Sequence, residues 1–253
     1  MKKLISTFLI LVTSFSLFAQ KIKQGDVSVE VINKHNVLVV EPPSKRYSVL
    51  FATDYQSPEV ALAYIDYDEL QLPEVERPQV QFTCEKSLQT SIKVRHSWYN
   101  NTGYDRGHLI SNDFFNFDAK LAEETFRVYN ISPQIPELNR RGDWRKLEEA
   151  TEKMYANADG RLYQIVGVVL DKKPNEYKTI GKGCAVPNNF YKILLVQDLK
   201  DGTYEFTRIE VWLFSNEKET AEKGKLLITN KNKSVNEVLA YIKKKFSLDV
   251  KLE

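Results

Sequence analysis

Hydrophobic and polar residues alternate or cluster along much of this chain in the pattern of β-strands. Apolar residues alternate over 27–31 and run on over 37–40, with a polar turn at 33–36 between them. This pattern predicts a hairpin with His35 exposed in its turn. Further strands are predicted at residues 47–51, 60–67, 126–129, 163–170, 193–196 and 204–214. The turn signal at Lys200-Asp201-Gly202 predicts that the strand at 204–214 runs antiparallel to the strand before it.

Two segments have helical periodicity instead. Trp144, Leu147, Thr151, Met154 and Tyr155 fall at helical spacing, so one face of residues 144–156 should pack on the strands. Near the end of the chain, Ser234 and Glu237 form a capping-box pattern ahead of an apolar stripe. Lysines 243–245 lie beside that stripe and are expected on its solvated face. Strands and helices of this kind predict an α+β fold.

The first 19 residues have the pattern of a cleaved signal peptide. Lys2 and Lys3 supply a basic start, and residues 4–18 then contain no charge, a stretch that is short for a membrane span. Cleavage is expected between Ala19 and Gln20, and an uncleaved anchor is the alternative. We therefore expect a secreted or periplasmic protein. Its mature part, residues 20–253, has the length of one large domain.

The nearly equal numbers of basic and acidic residues exclude a protein that is strongly basic overall. The chain has 36 basic and 34 acidic residues, and Lys2 and Lys3 account for the difference. Any affinity for nucleic acid must therefore come from a local basic patch, for which Arg106, Arg140, Arg141 and Arg145 are the candidates.

The chain contains two cysteines, Cys84 and Cys184. In an exported protein such a pair suggests one disulfide, but two buried free thiols would leave the same sequence pattern. Both alternatives remain open at this point.

The residues with the clearest chemistry lie between positions 104 and 148. His108, one of three histidines, follows an Arg-Gly pair and precedes apolar residues, as in a strand that emerges from a turn. A histidine with an unperturbed pKa near ~6.5 can accept a proton from water at neutral pH. Arg106 offers a planar fork that suits phosphate, and Gly107 carries no side chain that would obstruct an anionic substrate. This stretch predicts a general base beside a phosphate contact.

Two asparagines follow at turns. Asn130 ends the strand predicted at 126–129, before a turn at Pro133. Asn139 lies just before the helix predicted from Trp144. Its amide oxygen is a hard ligand suited to Mg²⁺, although the same side chain could instead cap the helix.

Strand, strand and helix, with a histidine on the first strand and an oxygen ligand at the helix entry, resemble the ββα-metal motif. More narrowly, three motifs resemble the DNA/RNA non-specific endonuclease family. They are Asp-Arg-Gly-His at 105–108, Asn-Ile-Ser-Pro-Gln at 130–134, and the run from Leu138-Asn139 through Trp144 to Leu147-Glu148. The resemblance extends over residues 45–215 and is specific over 98–150.

The resemblance implies a single domain based on an antiparallel sheet. It also implies Mg²⁺, or Mn²⁺ in its place, as the cofactor and both DNA and RNA as substrates. The implied roles are His108 as general base, Asn139 as the single protein ligand of the metal, Arg106 as phosphate contact, Asn130 as a residue that steadies the site, and Glu148 as holder of water on the metal. Asp105, Arg140 and Arg141 are expected substrate contacts, and Arg95 is either a further phosphate contact or a surface arginine.

One departure from the family pattern concerns Glu148, which lies one residue further from Asn139 than is usual in the family. On one continuous helix, a separation of nine residues would place the two side chains on opposite faces. Either the helix begins after Gly142, with Asp143 as its N-cap, or Glu148 has lost its role. We favour a helix that begins after Gly142.

Other interpretations compete with an endonuclease. The motif at 105–108 alone would be explained by a tight turn with an Arg-Asp ion pair and a histidine whose hydrogen bonds are satisfied. A protein that keeps the fold but has His108 or Asn139 misplaced would bind nucleic acid or a partner without catalysis. A hydrolase for a different phosphodiester is the second alternative. Three motifs in the right order favour the nuclease.

Overall fold

The computed structural model describes residues 20–32, 35–154 and 160–253, without the side chains of 152–154. The predicted signal peptide at 1–19 lies outside the described residues, as do positions 33 and 34 of the predicted turn and Tyr155 of the predicted helical stripe. Within the described ranges, no helix has both the length and the apolar character needed to cross a bilayer.

The regular elements are numbered in chain order. The strands are β1 (Lys21–Gln24), β2 (Val27–Val31), β3 (Val37–Val40), β4 (Tyr47–Ala52), β5 (Ser57–Asp66), β6 (Asp105–His108), β7 (Ile131–Gln134), β8 (Gly160–Val168), β9 (Thr179–Ile180), β10 (Cys184–Ala185), β11 (Asn189–Lys200), β12 (Thr203–Ser215), β13 (Gly224–Thr229) and β14 (Leu248–Leu252). The helices are α1 (Tyr67–Leu70), α2 (Ala119–Glu124), α3 (Pro136–Arg140), α4 (Asp143–Met154) and α5 (Val235–Phe246).

A seven-stranded sheet in the order β13-β12-β11-β8-β5-β4-β3 organises the molecule. All of its neighbouring strands pair antiparallel. Successive side chains of β8 point to opposite faces, so Leu162 and Val166 enter one hydrophobic core while Tyr163 and Ile165 enter another. Because both faces are covered, the strand has an almost continuous apolar sequence. The predicted α+β class with an antiparallel sheet is confirmed.

Different layers cover the two faces. The small sheet β1-β2-β14 and helix α5 share one core, and Ser234 caps α5 by accepting a hydrogen bond from the Glu237 amide at 3.2 Å. The opposite face carries β6, β7, α3 and α4. There the ring of Trp144 lies 5.5 Å from that of Phe190 and 5.1 Å from that of Phe214, measured between centroids. This packing holds α4 against the sheet and sets the position of the residues beside Trp144.

The predicted strands within the central sheet are confirmed at β4, β5, β8, β11 and β12. The predicted hairpin is wrong. β2 pairs with β1 and with β14 from the far end of the chain, whereas β3 pairs with β4 in the other sheet. Alternation identifies a strand but carries no information about its partner, and β14 lies more than 200 residues away.

His35 is not the exposed turn residue that the hairpin predicted. Its ring lies 4.7 Å from the Tyr55 ring, and its Nδ1 is 3.5 Å from Oε2 of the buried Glu59. His35 lies where the chain passes from β2 to β3, and its contacts with Tyr55 and Glu59 leave its side chain 18% exposed.

The second strand of the predicted motif is also displaced. Residues 126–129 were predicted to be extended, but Arg127 makes only an isolated bridge with Thr83 and a 3₁₀ turn follows at Val128–Asn130. The strand that pairs with β6 is β7, which begins one residue after Asn130. The aromatic and β-branched residues that suggested a strand are buried by tertiary packing instead.

Cys84 and Cys184 are both free thiols, so the disulfide alternative is not realised. Cys184 is buried in the short strand β10, while the half-buried Cys84 precedes a 3₁₀ turn and has Glu85 as a charged neighbour. Burial raises the pKa of Cys84 to about 11 and that of Cys184 to about 12. Both groups therefore remain protonated and unreactive at neutral pH.

We expect a thiol count on the unfolded, unreduced protein to find both cysteines free. The native protein should react slowly, because little thiolate is present and Cys184 is inaccessible. The measurement is titration with a disulfide reagent in denaturant, with a reduced sample as control. A count of zero before reduction would show a bridge that this structure does not contain.

Candidate active site

The Asp-Arg-Gly-His motif forms the strand β6 itself. It pairs antiparallel with β7, placing Gly107 opposite Ser132 and His108 opposite Ile131. Gly107 does not leave room for a substrate, as the sequence had suggested, since a Cβ there would overlap the buried side chain of Gln134. The glycine instead allows Gln134 to pack across the hairpin and so fixes the position of His108.

Asn130 secures the turn that follows His108. Its amide oxygen accepts from the Ile110 amide at 3.0 Å, and its amide nitrogen donates to the carbonyls of Ile110 at 2.9 Å and Thr125 at 3.0 Å. The side chain is fully buried, so these bonds form in a water-free setting. Asn130 therefore has the geometry of a structural support and does not line the cavity described next.

Five of the predicted site residues surround one polar cavity of about 180 Å³: Arg106, His108, Asn139, Arg140 and Glu148. Its lining also includes Arg145 of α4, Arg77, and the run Ser111, Asn112 and Asp113. Four arginines around a histidine, an amide and a carboxylate give the cavity a positive character. Such a surface suits an anionic ligand.

His108 presents a neutral imidazole to this cavity. Its ring packs against those of Phe82 at 5.0 Å and Phe126 at 5.1 Å. Burial lowers the pKa of His108 to about 3, and the positive charge of Arg77 adds to this effect. Nε2 is buried and has no hydrogen-bond partner within the described residues. The neutral ring can therefore accept a proton, and Nδ1 is the nitrogen that is not buried in this way.

Arg106 is held in place by its own hydrogen bonds. Nε and Nη2 donate to the His96 carbonyl at 3.1 and 2.9 Å, and Nη2 also donates to Oδ1 of Asn100 at 2.6 Å. These bonds leave Nη1 without a protein acceptor among the described residues. Arg106 does not form an ion pair with the adjacent Asp105, because Asp105 pairs with Arg140.

Asp105 orients Asn139. Its Oδ2 accepts from the Asn139 amide nitrogen at 3.0 Å and from Nε of Arg140 at 2.7 Å, and Oδ1 pairs with Nη2 of Arg140. An ionised carboxylate only accepts, so the amide oxygen of Asn139 must point away from it. Both oxygens of Asp105 already have protein partners, and Asp105 does not line the cavity.

Asn139 and Glu148 reach the same cavity because the helix is broken between them. Asn139 lies inside α3, which ends at Arg140, and α4 begins at Asp143 after Gly142. The nine-residue separation is thus divided between two helices, as predicted. Asn139 caps neither helix, and Asp143 is the first residue of α4, where its Oδ2 accepts from the Gly224 amide at 3.0 Å.

Arg141 and Arg95 lie outside the cavity. Arg141 is exposed at the end of α3, and Arg95 is exposed with Nη1 donating to the carbonyls of Ile92 and Val94 at 3.3 and 3.0 Å. Neither expected substrate contact is brought to the site. Arg95 instead supports the local turn.

Sequence reasoning missed Arg77 and Lys192. Arg77 comes from residues 70–78, a stretch rich in acidic residues and proline, and its guanidinium lies 5.4 Å from the Phe126 ring centroid. Nothing in its local sequence marks it. Lys192 is buried behind Glu148 with Nζ 3.4 Å from Oε1. Its signal was visible, because a lysine between apolar residues of a core strand must have a partner.

Comparisons with known proteins identify a family. A family model described as DNA/RNA non-specific endonuclease matches residues 30–243. Mitochondrial endonuclease G of Homo sapiens is 29% identical over 134 residues, 48% of this chain and 43% of that protein. A protein of Nostoc sp. named Nuclease is 29% identical over 123 residues, 47% of this chain and 42% of that protein. These alignments span less than half the length of the curated relatives.

The fold is also found in a solved structure. A chain of the EndoG/EndoGI complex, whose crystal structure addresses the mechanism of EndoG inhibition, superposes with a TM-score of 0.63. The match covers 86% of each chain at 19% sequence identity. At this identity the likeness establishes the shared fold.

Proposed function

Because this chain belongs to the DNA/RNA non-specific endonuclease family, we propose that it is an endonuclease that hydrolyses the phosphodiester bonds of both DNA and RNA with Mg²⁺, or Mn²⁺ in its place. The observation that carries the proposal is the single cavity that brings His108, Asn139 and Glu148 within the same ring of arginines. A neutral base, an oxygen ligand and cations for the phosphate are the parts that hydrolysis of a phosphodiester needs.

His108 is the proposed general base. Its imidazole is neutral at physiological pH, and Nδ1 takes the proton of a water molecule that attacks phosphorus in line with the leaving 3′ oxygen. Nε2 carries the hydrogen in that tautomer, enclosed beside Phe82 and Phe126. The aromatic packing prevents the ring from turning, so the base remains directed at the reacting water.

The residues present fit a hydrated Mg²⁺. Asp105 fixes the amide of Asn139 so that its oxygen faces away from the carboxylate, and Glu148 places a carboxylate on the same cavity. Among the described residues there is no cluster of three or more His, Cys, Asp or Glu side chains that would form a closed metal cage. Mg²⁺ usually keeps several of its waters and binds few protein groups together with substrate phosphates, so an open site of this kind suits it. When bound, the ion would neutralise charge on the phosphate and on the leaving oxygen.

The arginines are the proposed phosphate contacts. Arg106 lines the cavity and is anchored by His96 and Asn100 with Nη1 left for a phosphate, Arg77 adds a second cation, and Arg140 stands at the exposed rim. Phosphate is common to DNA and RNA, so a contact to it depends on neither the base nor the sugar. Contacts of this kind favour hydrolysis without regard to sugar.

The deciding experiment is a nicking assay on supercoiled plasmid and on structured RNA, with Mg²⁺ and with EDTA. Cleavage of both substrates that EDTA abolishes is expected. Binding without cleavage would favour the non-catalytic alternative.

Arg106→Lys should reduce cleavage of DNA and RNA alike by about tenfold to a hundredfold, the range expected for hydrogen bonds to a charged group. A point charge cannot make the bonds to His96 and Asn100 and a phosphate contact in the same plane. Initial rates on both substrates provide the measurement. Arg141→Lys, at an exposed position outside the cavity, is the matched control. Loss on only one substrate would show that Arg106 reads the sugar or the base.

Export is the proposed route to the substrate. The basic start and the uncharged segment 4–18 support a signal peptide at 1–19 that leaves residues 20–253 as the mature nuclease. N-terminal sequencing of the exported protein should begin at Gln20. Intact Met1 on a membrane-bound product would favour the anchor.

A further inference from the structure

Lys192 is a fully buried cation near the start of β11. No part of its side chain is exposed to solvent, and Phe190 and Leu194 on either side belong to the core that underlies α4. Strand alternation places the lysine on that same face. An ammonium group in such a setting is costly unless it is closely paired.

Two residues of α4 offset the cost of burying the Lys192 ammonium group. Nζ lies 4.2 Å from the Trp144 ring centroid and 3.4 Å from Oε1 of Glu148. These residues are four apart and so lie on one face of the helix. Burial raises the pKa of Glu148 and the ammonium of Lys192 opposes that shift. Trp144 and Glu148 thus surround the cation from the helix side.

Among the described residues, Glu148 forms an ion pair with Lys192, and Arg145 acts on it only through a longer-range charge effect, which opposes the rise that burial causes in the pKa of Glu148. Arg145 lies one turn away on α4, but it pairs with Asp113 and Glu149. Lys192 does not line the cavity, whereas Glu148 does. The lysine therefore stands behind the carboxylate, on the side away from any ligand.

We propose that Lys192 is a positioning residue that holds the Glu148 carboxylate in the active site. This inference rests on the proposed nuclease function. The pair occupies one carboxylate oxygen and leaves the other for the waters of a hydrated cation. It also cancels a negative charge in a cavity that must admit phosphate. An apolar residue at position 192 could neither hold the Glu148 carboxylate nor neutralise its charge.

The test is a double-mutant cycle of Lys192→Met and Glu148→Gln. Lys192→Met should raise the half-saturating Mg²⁺ concentration for plasmid nicking by about tenfold or more, the usual effect of removing a partner that orients a metal site. Binding of Mn²⁺, followed through the EPR signal of the free ion, should weaken in parallel. In the Glu148→Gln background, Lys192→Met should add less than about a twofold change, because its only route of action is gone.

Lys146→Met is the matched control, since Lys146 is an exposed lysine of the same helix that pairs with Asp143. Thermal unfolding of each variant separates packing from positioning. A Lys192→Met protein that melts earlier but keeps the wild-type Mg²⁺ and Mn²⁺ curves would overturn the proposal, as would additive effects in the cycle. If this variant does not fold, Lys192→Gln replaces it, with the same expected and contradicting results. A wild-type protein that binds Mn²⁺ but cleaves nothing would refute the proposed function alone.

Discussion

Replacing His108 with alanine should reduce the rate of DNA and RNA cleavage by roughly 10² to 10⁴, the contribution expected of a general base. No other described side chain of the cavity combines a neutral nitrogen acceptor with a place between the arginines and Asn139. Turnover of plasmid at saturating Mg²⁺ is the measurement. DNA binding should persist, because the arginines are unchanged.

His35→Ala is the matched control, since His35 is also a half-buried histidine packed on an aromatic ring but lies against Tyr55, outside the cavity. Near-normal turnover of His108→Ala would remove the base assignment. A similar loss in His35→Ala would point to a general effect on the fold.

The pH dependence provides a second check on His108. Its pKa in the folded protein is lowered to about 3, so the ring stays neutral as pH falls through the ordinary histidine range near ~6.5. The free enzyme should therefore show no loss of kcat/KM between about pH 7 and 5 from this group. A fall centred near pH 6.5 that disappears in His108→Ala would show that the ring is more exposed to water than the structure indicates.

Replacing Asn139 with alanine should have the second large effect. It removes the oxygen that is proposed to hold Mg²⁺ but leaves His108 able to accept a proton. Activity should fall steeply at low Mg²⁺, and higher Mg²⁺ should restore part of it, because hydrated ions still reach the substrate phosphates. The measurement is cleavage rate against Mg²⁺ concentration.

Asn139→Asp separates a ligand from a structural residue. The new carboxylate keeps an oxygen at the cavity but cannot donate to Asp105, and two carboxylates at this distance repel. Mg²⁺ relieves that repulsion, so this variant should need less Mg²⁺ than Asn139→Ala and retain some turnover. If Asn139 only anchors α3 on Asp105, both variants should lose stability with unshifted Mg²⁺ curves. That result would leave Glu148 as the remaining candidate ligand.

Several features followed from sequence because local physics determines them. Strand alternation and apolar runs identified β4, β5, β8, β11 and β12 of the central sheet, and Ser234 with Glu237 identified the start of α5. The break at Gly142 was predictable because one continuous helix could not present Asn139 and Glu148 to the same side. Motif order was enough to select His108 and Arg106. The strand and helix patterns each lie within a few residues, whereas His108 and Arg106 were selected by a family resemblance carried by three motifs over residues 105–148.

Tertiary structure decided the features that depend on distant partners. The pairing of β2 with β14, the arrival of Arg77 beside His108 and the use of Asp105 to orient Asn139 all join segments that no local pattern connects. Lys192 shows both sides of this division. Its position in an apolar strand required a buried partner, but only the packing of α4 on β11 made that partner Glu148. The period of a strand or helix determines which face a side chain occupies. The residues that pack against that face are determined by contacts between distant segments of the chain.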